Sequence, residues 1–219
     1  MISLTKWLFP LCCLITLIGY FAPWVNHKTA ALVITGLDLG EYVKFLPAVR
    51  SGEISFWREG FYLPLVAVSL SLSFNTFRKE YSYPWLLRWI FIVAALVAAF
   101  NLLPPAWSPP VLKSAEFRQQ MIGILLCGLA AALSPFLALL PRWLTSLLTL
   151  LLVIAAIWFP ISSFLALLPN ITQLYNHPLQ PGWGMWLMLL GLIGLIGNVV
   201  MLAASTMIKI TNGPVTRNP

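Results

Sequence analysis

The chain has 219 residues, of which 60% are hydrophobic and 9% charged, with 13 Lys plus Arg against 6 Asp plus Glu and a net charge of +7. A soluble domain carries about 25% charged residues, so this balance and the mean hydropathy of +0.88 exclude a soluble globular enzyme. Disordered chains and secreted disulfide frameworks are excluded as well, the latter because only three cysteines are present.

In chain order, six apolar runs without acidic residues stand out: Trp7–Val25, Phe61–Phe77, Trp85–Leu103, Met121–Leu140, Trp143–Phe159 and Met185–Ile208. A membrane-crossing helix needs about 20 such residues. The runs therefore predict an all-α, polytopic membrane helix bundle of six transmembrane helices, a single integral membrane domain over 1–219, in a plasma or bacterial cytoplasmic membrane. The first run follows Lys6 as a signal peptide would. Tyr20 and Pro23 around Ala22 do not suit cleavage, and Leu11 before Cys12 does not suit a lipoprotein site, so a retained helix is expected. Pro160 interrupts the fifth run, and a separate short helix Ile161–Leu168 is expected after it, ended by Pro169. The segment Asn26–Gly60 is too short for an independent core.

Six crossings put both termini on one side. That side takes Lys6, Arg78, Lys79, Arg88, Arg142, Lys209 and Arg217 with the single acid Glu80, and the other takes five of the six acids. The density of Lys and Arg in short loops favours termini inside, N-in and C-in. The basic excess then reads as topology and contact with anionic lipid, with no nucleic-acid partner. Trp7, Trp85, Trp89 and Trp143 mark one interface, and Trp24, Trp107, Trp158, Trp183 and Trp186 the other; Trp57 fits neither belt. The odd-numbered runs share an inner Trp and an outer Pro beside Trp, which fits either three repeated hairpins or two interfaces common to every helix.

The runs themselves hold little chemistry. Ser69, Ser71, Ser73, Asn75, Asn101 and Asn198 read as interhelical hydrogen-bonding groups. Small residues at helical spacing, Gly123, Cys127 and Gly128 in the fourth run and Gly191, Gly194 and Gly197 in the sixth, read as faces for close helix approach, within the chain or to another subunit. Cys12, Cys13 and Cys127 lie in apolar sequence with no Cys-x-x-Cys spacing, so neither a metal nor any other cofactor is implied.

The loops opposite the termini carry the rest. Leu37–Leu46 alternates polar Asp38, Glu41 and Lys44 with apolar Leu39, Tyr42, Val43 and Leu46, with Thr35 and Asp38 as a start signal and Pro47 as a stop. Short amphipathic helices capping the outer face are expected, with Pro104, Pro105, Pro109 and Pro110 stiffening another loop. His27, Asp38, Glu41, Tyr42, Lys44 and Trp57 are the candidate interaction residues. No serine-hydrolase, ATP-binding or metal-ligand spacing accompanies them, so no catalytic residue is assigned.

The substrate-binding subunits of vitamin transporters and the permease halves of export ABC transporters resemble this chain in span number alone. Its first run lacks the Ala-rich face of the former, and its N-terminus lacks the elbow helix of many of the latter, so span number assigns no function. Three readings stay open. The chain is a non-catalytic subunit or accessory component of a membrane complex, docking other membrane-protein subunits through its loops and small-residue faces. Alternatively it is a transporter or permease component for a small or apolar substrate, or an interfacial lipid-modifying enzyme using His27, Asp38 or Glu41.

Overall fold

The centre of the protein is a short helix buried on almost every side. The structure, a computed structural model, describes residues 2–27, 32–104 and 107–211, with 2–4, 27, 32 and 205–211 described by backbone alone. Ten α-helices and one hairpin are present among them. These are α1 (Ile2–Phe21), β1 (Pro23–His27), β2 (Leu32–Thr35), α2 (Gly36–Tyr42), α3 (Pro47–Arg50), α4 (Leu63–Asn75), α5 (Trp85–Phe100), α6 (Pro109–Leu112), α7 (Arg118–Ala132), α8 (Ser134–Leu137), α9 (Arg142–Tyr175) and α10 (Trp183–Thr211). Helix α4 is the buried one; α1, α5, α7 and α9 pack around it, and α10 lies against α1 and α9.

Among the described residues, only two helices, α9 and α10, are long and apolar enough to cross a membrane, which overturns the six expected spans. The apolar runs are longer than the helices inside them. Helix α4 has 13 residues, α5 has 16 and α7 has 15, whereas about 20 are needed for a core of about 30 Å. The second run starts in a 3-10 turn, Arg58–Tyr62, and the third ends in non-helical Leu102 and Leu103. The fourth is broken at Leu133, where Ser134-Pro135 starts the new short helix α8. In the first, α1, the apolar stretch Thr5–Phe21 is 17 residues long. The inside and outside assignment of the termini depended on six crossings and falls with them.

The fifth run is corrected in the opposite sense. Pro160 and Pro169 both lie within α9, which runs unbroken for 34 residues, about 51 Å at 1.5 Å per residue. The expected separate helix Ile161–Leu168 is therefore its middle. Pro160 faces the core in register with Ala156 and Phe164, so the contacts of the buried face hold the helix together where one backbone hydrogen bond is lost.

Polarity is inverted relative to a water-soluble bundle. Trp143, Leu147, Leu151, Ile154 and Trp158 form the exposed face of α9, while its buried face begins with Thr145 and Thr149. Helices α1, α5, α7 and α10 likewise turn large apolar residues outward, among them Leu11, Leu14, Trp85, Val93, Leu125, Leu129, Leu190 and Ile193. Only 28% and 33% of the most apolar windows of α9 and α10 are buried, where the core helix of a soluble protein would be mostly covered. Inside, Ser69 Oγ donates to Ala95 O at 2.8 Å and Ser134 Oγ to Ser73 O at 2.5 Å, tying α4 to α5 and α8.

Helices α1 and α10 run antiparallel and touch through glycine. A Cβ on Gly19 would meet the Met188 backbone, one on Gly191 would meet Thr16, and one on Gly194 would meet the Cys12 sulfur. Gly197 and Gly128 have nothing within 4 Å of a Cβ, so the expected small-residue faces are used at Gly191 and Gly194 and not at those two. Gly123 faces Leu102, and Cys127 is fully buried.

At one end of the bundle the segment 76–83 latches three helices, α1, α9 and α10. Buried Arg78 donates to Leu140 O at 3.0 Å and to Thr145 Oγ1 at 2.6 Å, and Glu80 pairs with both Arg78 and Arg142. Tyr81 donates to Asn198 Oδ1 at 2.9 Å, Asn198 Nδ2 donates to Thr5 O at 2.8 Å, and Tyr83 donates to Lys6 O at 2.6 Å. Arg78, expected as a solvated topology charge, is instead 3% exposed.

The other end carries a cap, and here the all-α expectation is corrected by the antiparallel pair β1–β2. The extended, β-branched stretches Pro23–Asn26 and Val33–Thr35 form it. Trp24 is fully buried there, its indole N–H donating to Gly19 O at 3.2 Å and its ring edge-on to Phe164, so it is no part of an interfacial belt. Gly182 N donates to Trp24 O at 2.7 Å, fastening the hairpin to the start of α10. The proline-rich loop holds a helical turn, α6, with Pro109 at its start; Pro105, like Lys28, lies outside the described residues.

Two predictions follow from these contacts. Gly19→Val should abolish a monodisperse folded protein in detergent, because the clash is with backbone, while Gly197→Ala should leave or raise Tm, Ala being better in a helix by about 1 kcal/mol. Arg78→Met strands the Leu140 carbonyl and leaves Glu80 with Arg142 alone, and with hydrogen bonds to a charged group worth about 1.5–3 kcal/mol each, it should lower stability by at least about 2 kcal/mol in a denaturation measurement.

Candidate functional site

The richest side-chain chemistry in the described structure lies in the cap, where α2, the 3-10 turn Arg58–Tyr62 and the start of α7 meet. Helix α2 begins at Thr35, whose hydroxyl accepts from Asp38 N at 3.2 Å while Asp38 Oδ2 accepts from Thr35 N at 3.0 Å. This reciprocal cap matches the Thr35 and Asp38 spacing, and it commits Asp38 to holding the helix start. Pro47 opens α3 instead of stopping the previous helix, which ends at Tyr42 and passes through a 3-10 turn, Val43–Phe45.

One turn of α2 later, Glu41 accepts from Lys44 Nζ at 2.6 Å and from the Tyr62 hydroxyl at 3.1 Å. Gly40 makes the second contact possible, since a Cβ there would meet the Tyr62 ring at 2.8 Å. Arg58 reaches Glu59 at 3.1 Å and Glu116 at 3.0 Å, and Lys44 lies 3.5 Å from Glu116. Trp57 Nε1–H donates to Gln119 Oε1 at 2.6 Å, and its ring stands edge-on to Phe159 at 5.2 Å. Tyr42 donates to the Tyr175 hydroxyl at 3.3 Å at the end of α9.

The charges fix one another. Burial pulls the Arg58 guanidinium down, but the Glu116 hydrogen bond and the Glu59 charge more than offset it and leave it above its ordinary value. Glu116 is held below its ordinary value by the Arg58 hydrogen bond, against a smaller burial effect and with help from Lys44. Burial and the hydrogen bond with Tyr175 push the Tyr42 hydroxyl up, so it stays protonated. The arrangement holds a loop in place and leaves these groups engaged, with no free base among Asp38, Glu41 and Glu116.

Of the six cap candidates, the structure gathers Glu41, Lys44 and Trp57 around this network, sets Tyr42 of α2 against Tyr175 of α9 and gives Asp38 to the helix cap. The His27 side chain lies outside the described atoms; its backbone closes β1. His177 Nδ1 lies 3.1 Å from Pro178 O. Sequence reading missed Arg58, Glu59, Tyr62, Glu116, Gln119 and Gln120, because nothing local marks residues that meet across 58 or 62 positions of chain.

Beside the ion network lies a slot of about 270 Å³ lined by Trp57, Glu59, Tyr62, Leu63, Val66, Leu102, Gln119, Gln120, Ile122, Gly123 and Leu126. A second cleft of about 340 Å³ lies between α3 and the end of α9, with Pro47, Ala48, Ser51, Glu53, Asn170, Gln173 and Leu174 on its walls. Among the described residues, no three His, Cys, Asp or Glu side chains group so as to hold a metal ion. No family model, curated protein or solved structure matches the chain.

The sign of the pH dependence follows from Glu116. Its carboxyl titrates below its ordinary 4.5 when folded, so its contribution is complete above that value and is lost as the pH falls through the lower folded one. Because the Glu116 side chain is half exposed, the effect is small. Relative to intrinsic amide rates, the hydrogen-exchange protection of residues 57–60 should fall on acidification below pH 4.5, and Glu116→Gln should show the lowered protection already at neutral pH, with no further loss through that acid window.

Proposed function

We propose that the chain is a multi-pass membrane protein that serves as a non-catalytic component of a membrane complex and presents its cap to another membrane protein. The observation that carries this reading is how the cap spends its chemistry. Asp38, Glu41, Glu59 and Glu116 are each engaged in holding a helix start, a turn or a loop. A cap built this way is a fixed shape. The outward apolar faces of α9 and α10 support embedding in lipid, and the cleft between α3 and α9, half polar and rimmed by exposed Leu174, offers a partner in the same membrane a ready surface.

A second reading, a transport component, draws on one observation. The Ser71 and Thr149 hydroxyls, on the neighbouring helices α4 and α9, are buried without a hydrogen-bond partner, as groups lining a polar path would be.

A photoreactive amino acid at Ala48 or Leu174, in cells, tests the first reading against the second. The complex predicts one adduct of the same mass from both positions, identified as the same membrane protein, and none from lipid-facing Leu151. No adduct from either cap position, together with solute flux through the purified chain in sealed vesicles, would overturn it in favour of transport.

A further inference from the structure

The slot beside the ion network has apolar walls and one polar end. Leu63, Val66, Leu102, Ile122, Gly123 and Leu126 make the walls. Ile122 and Leu126 are also exposed on the outer face of α7, so the slot opens sideways where an apolar surface meets its surroundings. Gly123 leaves the space: a Cβ there would already press on Leu102 at 3.0 Å.

At the polar end, Gln120 is 2% exposed, and its amide oxygen has no hydrogen-bond partner. Its amide nitrogen faces the Tyr62 hydroxyl and interacts with it, and that hydroxyl in turn donates to Glu41. A buried amide oxygen left without a donor costs about 1–3 kcal/mol, and a ligand group that donates to it would remove that cost. The surrounding charges decide what kind of group. Arg58 is taken by Glu59 and Glu116, and Lys44 by Glu41 and Glu116. An anionic head would therefore meet the Glu59 carboxylate on the wall of the slot and no cation among the lining residues, whereas a hydroxyl can pair with the amide. The volume sits just below the range of about 300–1,000 Å³ for drug-sized clefts, which suits the upper part of a single hydrocarbon chain and not two.

We propose that this slot binds a neutral, hydroxyl-bearing single-chain amphiphile, such as a monoacylglycerol, with its hydroxyl on Gln120 and its chain along Val66, Leu102 and Gly123. Trp57, pinned by Gln119, covers the head. The inference rests on the reading that the exposed apolar faces meet lipid, and the test separates the two.

The full chain is reconstituted in phosphatidylcholine nanodiscs with a diazirine-bearing monoacylglycerol, or with the fatty acid of equal chain length carrying the same diazirine. Labelled peptides are then mapped. The proposal predicts labelling of 119–126 at least ten-fold stronger with the monoacylglycerol than with the acid. Gln120→Leu should bring the two probes to within about two-fold. Gly123→Met, which fills the slot, should remove labelling at 119–126 while the outward residues of 85–97 stay labelled by both probes. Equal labelling by both probes in the unsubstituted protein, or stronger labelling by the acid, overturns the proposal. Labelling of 85–97 without 119–126 overturns the slot alone, and no labelling at either place overturns the lipid-facing reading with it.

Discussion

Everything in this fold follows from keeping backbone and side-chain polar groups inside while the outside is apolar. A buried donor or acceptor without a partner costs about as much as a lost hydrogen bond, and an apolar exterior offers none. The chain therefore turns Ser, Thr, Asn and one Arg inward and satisfies most of them against carbonyls of its own helices or of neighbours. Helix α4 is the clearest product of that constraint. Its length of 13 residues is enough because its surroundings are protein: Ser69 reaches α5, Ser73 accepts from α8, and Asn75 and Thr76 donate back along the helix to Ser71 O and Leu72 O.

The same constraint explains why the two ends are built differently. At the end bearing Arg78, the chain reverses direction among helix termini, and free carbonyls such as that of Leu140 must be met. A guanidinium with five donors suits the task, and Tyr81, Tyr83 and Asn198 complete it. At the cap end the chain has a longer excursion to organise, and it borrows support. The hairpin hangs on Trp24 and Gly182, α2 is held by its own capping box, and the turn at Arg58 is bound to the segment before α7. None of these pieces has a core of its own; each uses the upper half of α9 as its wall, through Phe159, Phe164, Leu167, Ile171 and Tyr175.

Hydropathy made the helical, membrane-compatible character legible, because composition alone separates outward-facing Leu and Trp from a soluble surface. Each of the six apolar runs contains a helix, although among the described residues only those of the fifth and sixth are long and apolar enough to cross a membrane; the sequence also marked the glycines that α1 presses against and the start of α2 at Thr35. Helix boundaries were not legible. An apolar run continues through Leu102-Leu103 or Leu137–Leu140 whether or not the backbone stays helical, and proline is ambiguous: Pro135 starts a helix, while Pro160 sits inside one. The site was legible only in part. Glu41, Lys44 and Trp57 could be singled out as loop residues of unusual content. Their partners Arg58, Glu116, Gln119 and Gln120 could not, since the ion network exists only after two distant segments are brought together.

The position of Trp57 ties the slot to the long helix in a mechanical sense. Its indole covers the slot on one edge and rests against Phe159 on the other, with Gly60 pressed to the same residue, so a Cβ there would lie 3.2 Å from it. Phe159 immediately precedes Pro160, where α9 lacks a backbone hydrogen bond and is softest in bending. The indole thus acts as a brace at the first of the two proline joints, Pro160 and Pro169, of a rod about 51 Å long, between the stretch with the exposed apolar face and the stretch that carries the cap. Any displacement of that brace loads the joint first, and the cap, fixed to the far segment, would turn with it as a rigid piece.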